Sequence, residues 1–228
     1  MSKKANQHYV PQFYFRLFSR DGRSICVFNR KNGTSCTAAP IKGQASKHKF
    51  YGSQEIEDAF SDLEGVFSST LRTLKNCTDL REISEVDQLL TLQAIMFQRA
   101  RTLSARNSSQ PMNDRLTKLW LEAEINKNEN LSDDQKLEYI SDLELFEVDP
   151  LRLHLEQIKI SLEQAHLLGD LTPVLLDNRT NRPFIFSDSP AVFHNSHYGN
   201  VKLRGVWALL LPAYKPSFLF LKVEYCCL

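Results

Sequence analysis

The chain has 228 residues, of which 42% are hydrophobic and 24% charged, an average globular composition that excludes a disordered chain or a coiled-coil rod. Its 28 basic and 27 acidic side chains give no overall field that would draw it onto a nucleic acid or a membrane. With five cysteines that form no CxxC pair and no apolar run long enough to span a bilayer, we expect a cytoplasmic protein without disulfide-linked or membrane partners.

The N-terminal quarter begins with a polar stretch and continues with short elements. Residues 1–7 predict a polar tail, and Pro11 is well placed to start a short aromatic helix through Phe18. Two strands, 25–29 and 36–39, flank Asn32-Gly33, a sequence typical of a hairpin turn. The Lys- and Gly-rich stretch 42–51 shows little periodicity and predicts a loop.

Apolar residues in the centre recur with the period of a helix. This pattern predicts helices over residues 54–75, 85–106, 111–128, 133–145 and 150–168. We expect the first two to pack against each other through a shared apolar stripe that consists of Phe60, Phe67, Leu89, Met96 and Leu103.

From residue 171 the pattern changes to short β-rich runs, at 172–177, 182–187, 205–211 and 217–225, with a polar turn at 178–181. The predicted fold class is therefore α+β, with a helical centre over 54–168 and a mostly antiparallel sheet formed by the C-terminal third and the N-terminal hairpin. We expect one domain over residues 1–228. The chain stops on an apolar strand with Cys226-Cys227-Leu228, which suggests a truncated or frame-shifted end.

Phosphate-loop, dinucleotide-binding, zinc-protease and nucleophile-elbow motifs are all missing from the sequence. The first candidate site is therefore a cluster of scattered polar residues, beginning with His8, Gln12 and Arg16. Gln12 and Arg16 are four residues apart and share a helix face, with His8 just before the helix. Such a cluster could bind an anion or shuttle protons. Alternatively, His8 and Gln12 only fasten the start of the chain by hydrogen bonds.

The two central helices add carboxylates and a cation. Glu57 and Glu64 lie on the flank of the apolar stripe, where burial can raise a pKa for acid or base chemistry, although boundary ion pairs are an alternative. Gln98 and Arg101 are three residues apart on the second helix. Arg101 could clamp a phosphate or carboxylate, or form a structural salt bridge with Glu57 or Glu64.

The last polar signature follows a predicted strand, at Ser187 and Asp188. Strand ends present reactive side chains on a rigid base, so Asp188 is a candidate general base or histidine partner. An Asx-type turn is the alternative. No cofactor is predicted and no metal ligand is assigned, while a divalent metal is left open without support.

Several of these segments occur together in one known family. They are HYVPQFYFRLF at 8–18, KFYG at 49–52, the helical Glu57 and Glu64, the stretch from Gln98 to Thr102, and FIFSDSP at 184–190. Over nearly the whole chain the sequence resembles the domain of unknown function family 4238, found mainly in bacteria and their mobile elements. The resemblance implies a conserved order of polar residues, namely His8, Gln12, Glu57, Glu64, Gln98, Arg101, Ser187 and Asp188. The chain departs from the family's pattern at Leu103, where a proline commonly follows the Arg-Thr pair.

Two functional hypotheses follow. The first is a hydrolase acting on a phosphodiester or related substrate, with catalytic residues His8, Glu64 and Asp188 and with a substrate-binding set of Gln12, Arg16, Glu57, Gln98, Arg101 and Ser187. The alternative is a non-enzymatic binding or regulatory module in which the same residues are structural. A nuclease of a mobile element would in addition need a local basic patch to contact nucleic acid, for which the sequence offers Lys42, Lys47, Lys49, Arg99 and Arg106.

Overall fold

A computed structural model describes residues 6–77, 79–169, 172–177, 185–195, 205–212 and 216–222. Over the residues described in full, 6–77, 79–169 and 185–191, helix accounts for 63% and strand for 12%. The predicted α+β class is therefore wrong. The protein is mostly helical, and the strands of its first half form two small two-stranded sheets near the N-terminus.

The first small sheet joins β1 (Asn6–His8) to β4 (Ser46–His48) in antiparallel register. The predicted polar tail is wrong at Gln7, which is 2% exposed because its amide bonds to the backbone that leads into the first long helix. The predicted loop at 42–51 is likewise interrupted, since it contains β4. Residues 1–5 lie outside the described part of the chain.

The second small sheet is the predicted hairpin, with β2 at Ser24–Asn29 and β3 at Thr34–Pro40. Gly33 has a φ of +71° at the turn, a conformation that glycine adopts without steric cost. Between β1 and β2, helix α1 (Gln12–Arg16) follows Pro11 as predicted but is shorter. A 3-10 turn at Ile41–Gly43 leads from β3 towards β4.

The helical part contains five longer helices among the described residues. Their bounds are α2 Gln54–Asn76, α3 Glu85–Ala100, α4 Leu103–Lys127, α5 Asp133–Asp142 and α6 Pro150–Glu163, with 3-10 turns at Leu80–Glu82, Leu143–Leu145 and Gln164–Leu168. Each of the five has a Ser, Thr or Asp at its N-cap whose side chain accepts a backbone N–H. None of the described helices is long and apolar enough to cross a bilayer.

One predicted helix is in fact two. The prediction of a helix over 85–106 is wrong because α3 ends at Ala100 and Thr102 caps α4, its hydroxyl accepting the N–H of Ala105 at 3.1 Å. Helix α4 then passes through Pro111 instead of starting there. The local cap decides the boundary, and this break places Arg101 between the two helices.

The core lies where α2, α3 and α6 meet the N-terminal aromatic residues. Phe67 of α2 is 4% exposed, and its ring lies 5.7 Å from that of Phe97 on α3. Phe60 and Met96 pack at the edge of this core as expected. The prediction for Leu89 is wrong, because its side chain is 41% exposed near the start of α3.

Gly52 connects the N-terminal elements to α2. Its φ is +79°, and a Cβ at this position would lie 2.7 Å from Cδ2 of Leu151 on α6. A side chain would therefore clash as well as strain the backbone. This explains the glycine at the end of the KFYG segment.

The C-terminal third is described mainly by backbone segments, β5 Thr172–Asp177, β6 Ala191–Asn195, β7 Gly205–Pro212 and β8 Pro216–Lys222. They run antiparallel in the order β5-β8-β7-β6, and among the described strands the N-terminal hairpin pairs with no other strand. The hairpin is therefore not part of a shared sheet, contrary to the prediction. Residues 185–187, predicted as strand, have no regular structure. The predicted turn at 178–181 and residues 223–228, with Cys226 and Cys227, lie outside the described residues.

Candidate functional site

A buried arginine lies at the centre of the polar residues. Arg101 is 1% exposed at the end of α3. Its Nε donates to the hydroxyl of Tyr51 at 2.9 Å, Nη1 to Oε1 of Glu64 at 2.5 Å, and Nη2 to the carbonyl oxygen of His8 at 2.5 Å. The guanidinium also lies 4.6 Å from the ring centre of Phe97. One side chain thereby joins α2, α3, β1 and the segment before α2.

These contacts keep the arginine charged. Burial by itself would lower the pKa of Arg101, but Tyr51 and Glu64 raise it above its ordinary value. A buried charge is tolerated when it is paired and fully hydrogen-bonded. All three side-chain nitrogens of Arg101 have partners inside the fold. Arg101 forms the structural salt bridge that the sequence analysis gave as an alternative, and its partner is Glu64.

Two buried amide side chains, those of Gln98 and Gln7, hydrogen-bond to the backbone on either side of these contacts, at Tyr9 and at residues 51–53. Gln98, 6% exposed, donates through Nε2 to the carbonyl oxygen of Tyr9 at 3.0 Å. Gln7 donates to the carbonyl of Ser53 at 3.0 Å and accepts the N–H of Tyr51 at 2.6 Å. Gln7 was missed by the sequence analysis because Asn6, Gln7 and His8 are all polar, so the segment lacks the apolar alternation that marks a strand. Buried amides of this kind fix the geometry of the chain.

His8 begins a short row of polar side chains at the surface. Its Nε2 lies 3.1 Å from the carbonyl oxygen of Lys42 and 3.4 Å from Nε2 of Gln12, and Arg16 donates to Oε1 of Gln12 at 3.2 Å. Because a carbonyl only accepts, Nε2 of His8 carries the hydrogen. The lone pair of the neutral ring is then on Nδ1.

The half-buried position of His8 also sets its charge. Burial lowers the pKa of the imidazole below 6.5, the Lys42 carbonyl and Glu64 raise it in part, and Arg101 lowers it further. His8 is therefore mainly neutral at pH 7. The structure brings His8, Glu64 and Arg101 together, with Gln12 and Arg16 alongside.

The other predicted residues lie further along the surface or in the core. Glu57 is buried on α2, with 9% exposure, and Ser187 donates its hydroxyl to the carbonyl of Ser189 at 2.9 Å and accepts that residue's N–H at 3.1 Å. Asp188 is exposed. Burial and then the charge of Asp188 raise the pKa of Tyr9. Among the described residues no hydrogen bond joins Asp188 to His8.

The segment that carries Asp188 is fastened by an aromatic side chain. The ring of Phe186 stacks on Phe18 at 3.8 Å and contacts the rings of Tyr14 and Phe15 at 5.7 and 5.5 Å. These contacts attach residues 185–191 to α1. The short helix that presents Gln12 and Arg16 therefore also anchors the Ser187-Asp188 turn.

A small cleft lies between α1, α2 and α3. Its volume is about 20 Å³, and Pro11, Tyr14, Glu64, Phe97 and Gln98 are among the residues that line it. This is room for about one water molecule. A larger ligand at these residues would have to bind on the exposed side, around His8 and the outer face of Glu64. In the described part of the chain, no three His, Cys, Asp or Glu side chains are grouped closely enough to hold a metal ion.

One buried histidine was not predicted. His154 of α6 is 1% exposed and donates through Nε2 to the carbonyl of Ala100 at 2.9 Å, just before Arg101. Its ring lies 5.3 Å from that of Phe50. Nδ1 is buried, and within the described residues it has no hydrogen-bond partner. Burial is the main reason that the pKa of His154 is lowered to about 4.

We expect His154 to make the fold sensitive to acid. The unfolded chain binds a proton near pH 6.5, whereas the folded chain resists it until about pH 4, so this contribution to stability is complete above 6.5 and is lost as the pH falls towards 4. A shift of this size corresponds to about 3 kcal/mol. Urea unfolding at several pH values should show the decline, and His154→Phe should flatten it relative to the wild type. An equal slope in both proteins would contradict the assignment.

Comparison with known proteins gives one match. The family model described as protein of unknown function, DUF4238, matches residues 6–219. No curated protein and no solved structure matches the chain. The match includes the elements that carry His8, Glu64, Arg101 and Asp188. The chain therefore belongs to the DUF4238 family of proteins of unknown function.

Proposed function

We propose that this protein is a hydrolase whose substrate is a phosphodiester, with His8 as the group that moves the proton. The observation that carries the proposal is the environment of His8. This half-buried imidazole has a lowered pKa and is held by the Lys42 carbonyl beside the Glu64 and Arg101 ion pair. A neutral histidine fixed beside a carboxylate is suited to general base catalysis at neutral pH.

The proposed reaction is the addition of water to phosphorus. Nδ1 of His8 accepts a proton from the attacking water, the new P–O bond forms, and the bond to the leaving oxygen breaks, with that oxygen taking a proton from solvent. Glu64, which is partly exposed, stabilises the imidazolium that forms. Arg16 and Lys42 are exposed, and both are connected to His8, Lys42 through its carbonyl and Arg16 through Gln12. Cationic groups of this kind favour a phosphate. Asp188 is proposed as a second acidic residue of the same site.

His8→Ala should reduce hydrolysis of single-stranded and double-stranded DNA and RNA substrates by at least 100-fold, because general base catalysis contributes about 10² to 10⁴ in rate. The melting temperature should hardly change, since the side chain of His8 makes only partly exposed contacts. Cleavage of labelled oligonucleotides and thermal melts measure the two effects. Asp188→Asn should behave in the same way if its carboxylate belongs to the site.

His166→Ala is the matched control, because His166 is also exposed but lies on the 3-10 turn after α6. Activity of the wild type should be constant at neutral pH and should fall only below pH 6.5, as His8 becomes protonated. Wild-type protein that cleaves none of the substrates with Mg²⁺, with Mn²⁺ or with EDTA would reject the proposal. So would large losses of stability in both His8→Ala and Asp188→Asn.

A non-enzymatic binding or regulatory module is the second candidate. One observation favours it. The buried side chains of Arg101, Gln98 and Gln7 form their hydrogen bonds with other groups inside the protein. Polar residues used in this way act as structural supports. Under this candidate His8→Ala changes neither catalysis nor stability by much, whereas Gln98→Ala destabilises the fold by about 1 to 3 kcal/mol.

A further inference from the structure

The charges of this chain are separated along its length, although the total is close to neutral. Residues 6–52 contain eight of the 28 Lys and Arg residues and one of the 27 acidic residues, Asp21. Residues 53–228 contain 18 basic and 26 acidic residues. The overall balance therefore hides a strongly basic N-terminal segment joined to an acidic helical part.

All eight basic side chains of residues 6–52 are exposed. Arg16, Arg20 and Arg23 lie on or after α1, and Arg30 and Lys31 lie at the tip of the hairpin. The ion pairs found among the described residues, for example that between Arg101 and Glu64, do not include any basic residue of this segment. Their charges are consequently available to an external anion.

The remaining three are also exposed, Lys42 on the 3-10 turn, Lys47 on β4 and Lys49 just after β4. The only acidic residue of the segment does not neutralise them. The carboxylate of Asp21 accepts the backbone N–H groups of Arg23 and Ser24, each at 2.8 Å, and the hydroxyls of Ser19 and Ser24. These hydrogen bonds hold the pKa of Asp21 well below its usual range.

The backbone brings basic residues to both ends of the hairpin. The N–H of Ile41 donates to the carbonyl of Arg23 at 2.9 Å, so Arg23 and Lys42 meet at the base of the hairpin, while Arg30 and Lys31 lie at its tip. The six residues of β2 separate base from tip by roughly 20 Å, at about 3.4 Å per residue. A row of cations of this length fits a repeating anion better than a single small one.

The hairpin also exposes an aromatic ring. Phe28 of β2 is 64% exposed, and only Ile25 of β2 and Ala39 of β3 are buried. Phe28 contributes little to the core, and it lies on the strand that leads to Arg30 and Lys31 at the hairpin tip. A cationic surface with an accessible aromatic ring is the arrangement that binds single-stranded nucleic acid, because the phosphates pair with the cations and a base stacks on the ring.

We infer that the exposed basic segment from Arg16 to Lys49, with the β2–β3 hairpin at its centre, is a binding surface for single-stranded nucleic acid. The inference goes beyond the proposed hydrolysis, since it concerns binding and requires no reaction at His8. An anionic membrane is the weaker alternative, because one aromatic ring on a strand gives no apolar helix face for insertion.

Fluorescence anisotropy with a labelled 20-nucleotide DNA or RNA tests this surface. The full chain carrying His8→Ala should bind the probe, and affinity should fall steeply between 50 and 200 mM KCl, with a logarithmic slope of about −3 for four or five phosphate contacts. Arg30→Glu/Lys31→Glu should weaken binding at least tenfold. Phe28→Ala should weaken binding about fivefold with an unchanged salt slope, because stacking releases no counterions.

The charge-matched control is Arg152→Glu/Lys159→Glu on α6, two exposed basic residues outside the segment, which should change affinity less than twofold. The inference is overturned if the probe does not bind at 50 mM KCl, if both double variants lose affinity equally, or if vesicles with 30% phosphatidylserine bind more tightly than the probe. Binding without cleavage by the wild type would reject the proposed hydrolysis alone. Cleavage that is unaffected by the hairpin variants would reject the binding surface alone.

Discussion

Replacing Arg101 with methionine is expected to lower the free energy of unfolding by about 3 to 5 kcal/mol. This single substitution removes the hydrogen bonds to Tyr51, Glu64 and the His8 carbonyl. The unpartnered carbonyl and the Glu64 carboxylate, which loses its counter-ion, account for much of the cost. Chemical denaturation measured at pH 7 gives this quantity directly.

Two further variants, one at Arg101 and one at a surface ion pair, show whether the loss comes from the buried network. Arg101→Lys keeps the positive charge but cannot reproduce the planar arrangement of donors, so it should also destabilise the fold, though less than methionine. Arg81→Met is the control, because Arg81 forms its ion pair with Asp79 on the surface with 90% of its side chain exposed. A loss below about 1 kcal/mol for Arg101→Met would show that this network is not a structural support.

Arg101 should also affect any activity of His8 through position. Its Nη2 holds the carbonyl oxygen of His8, while the imidazole itself is held by the Lys42 carbonyl. Under the proposed hydrolysis, Arg101 would be a positioning residue, since its nitrogens point into the fold.

Replacing Phe67 with alanine is expected to destabilise the protein by about 3 to 5 kcal/mol, since the removal of a buried aromatic ring combines lost burial with a cavity. Phe67 is 4% exposed, and its ring packs against that of Phe97, which in turn lies under the Arg101 guanidinium. Denaturant unfolding should show a lower midpoint without a change in slope.

Val66→Ala is the matched control for this prediction. Val66 precedes Phe67 on α2, but its side chain is 47% exposed, so its truncation should cost less than about 1 kcal/mol. Equal losses in the two variants would mean that this face of α2 is not the buried one. A loss below about 1 kcal/mol for Phe67→Ala would remove Phe67 from the core.

Local sequence signals were sufficient for much of the helical part. The 3.6-residue period and Ser53 at the N-cap predicted α2 almost to the residue, and Asp149-Pro150 predicted the start of α6. Such signals work because capping and amphipathic burial depend on residues close in sequence. The hairpin turn at Asn32-Gly33 was predicted for the same reason. That the chain forms one domain stays a prediction.

Tertiary contacts decided what the local pattern could not. Gln7 was placed in a tail because its partners, Tyr51 and Ser53, are 44 and 46 residues away, and His154 went unnoticed because its partner Ala100 is 54 residues away. The α+β class failed because β-rich runs show which segments can extend but not how much of the fold they will form.

The sequence by itself determined helix α2, the start of α6 and the caps Ser53, Ser84, Ser132 and Asp149, since these depend on near neighbours along the chain. Only the tertiary structure decided that Arg101 pairs with Glu64 and donates its hydrogen bonds inside the fold, and that the basic residues of the N-terminal segment are all exposed. The physical reason is that a buried charge must be paired inside the fold, and its partner is chosen by packing between elements far apart in sequence.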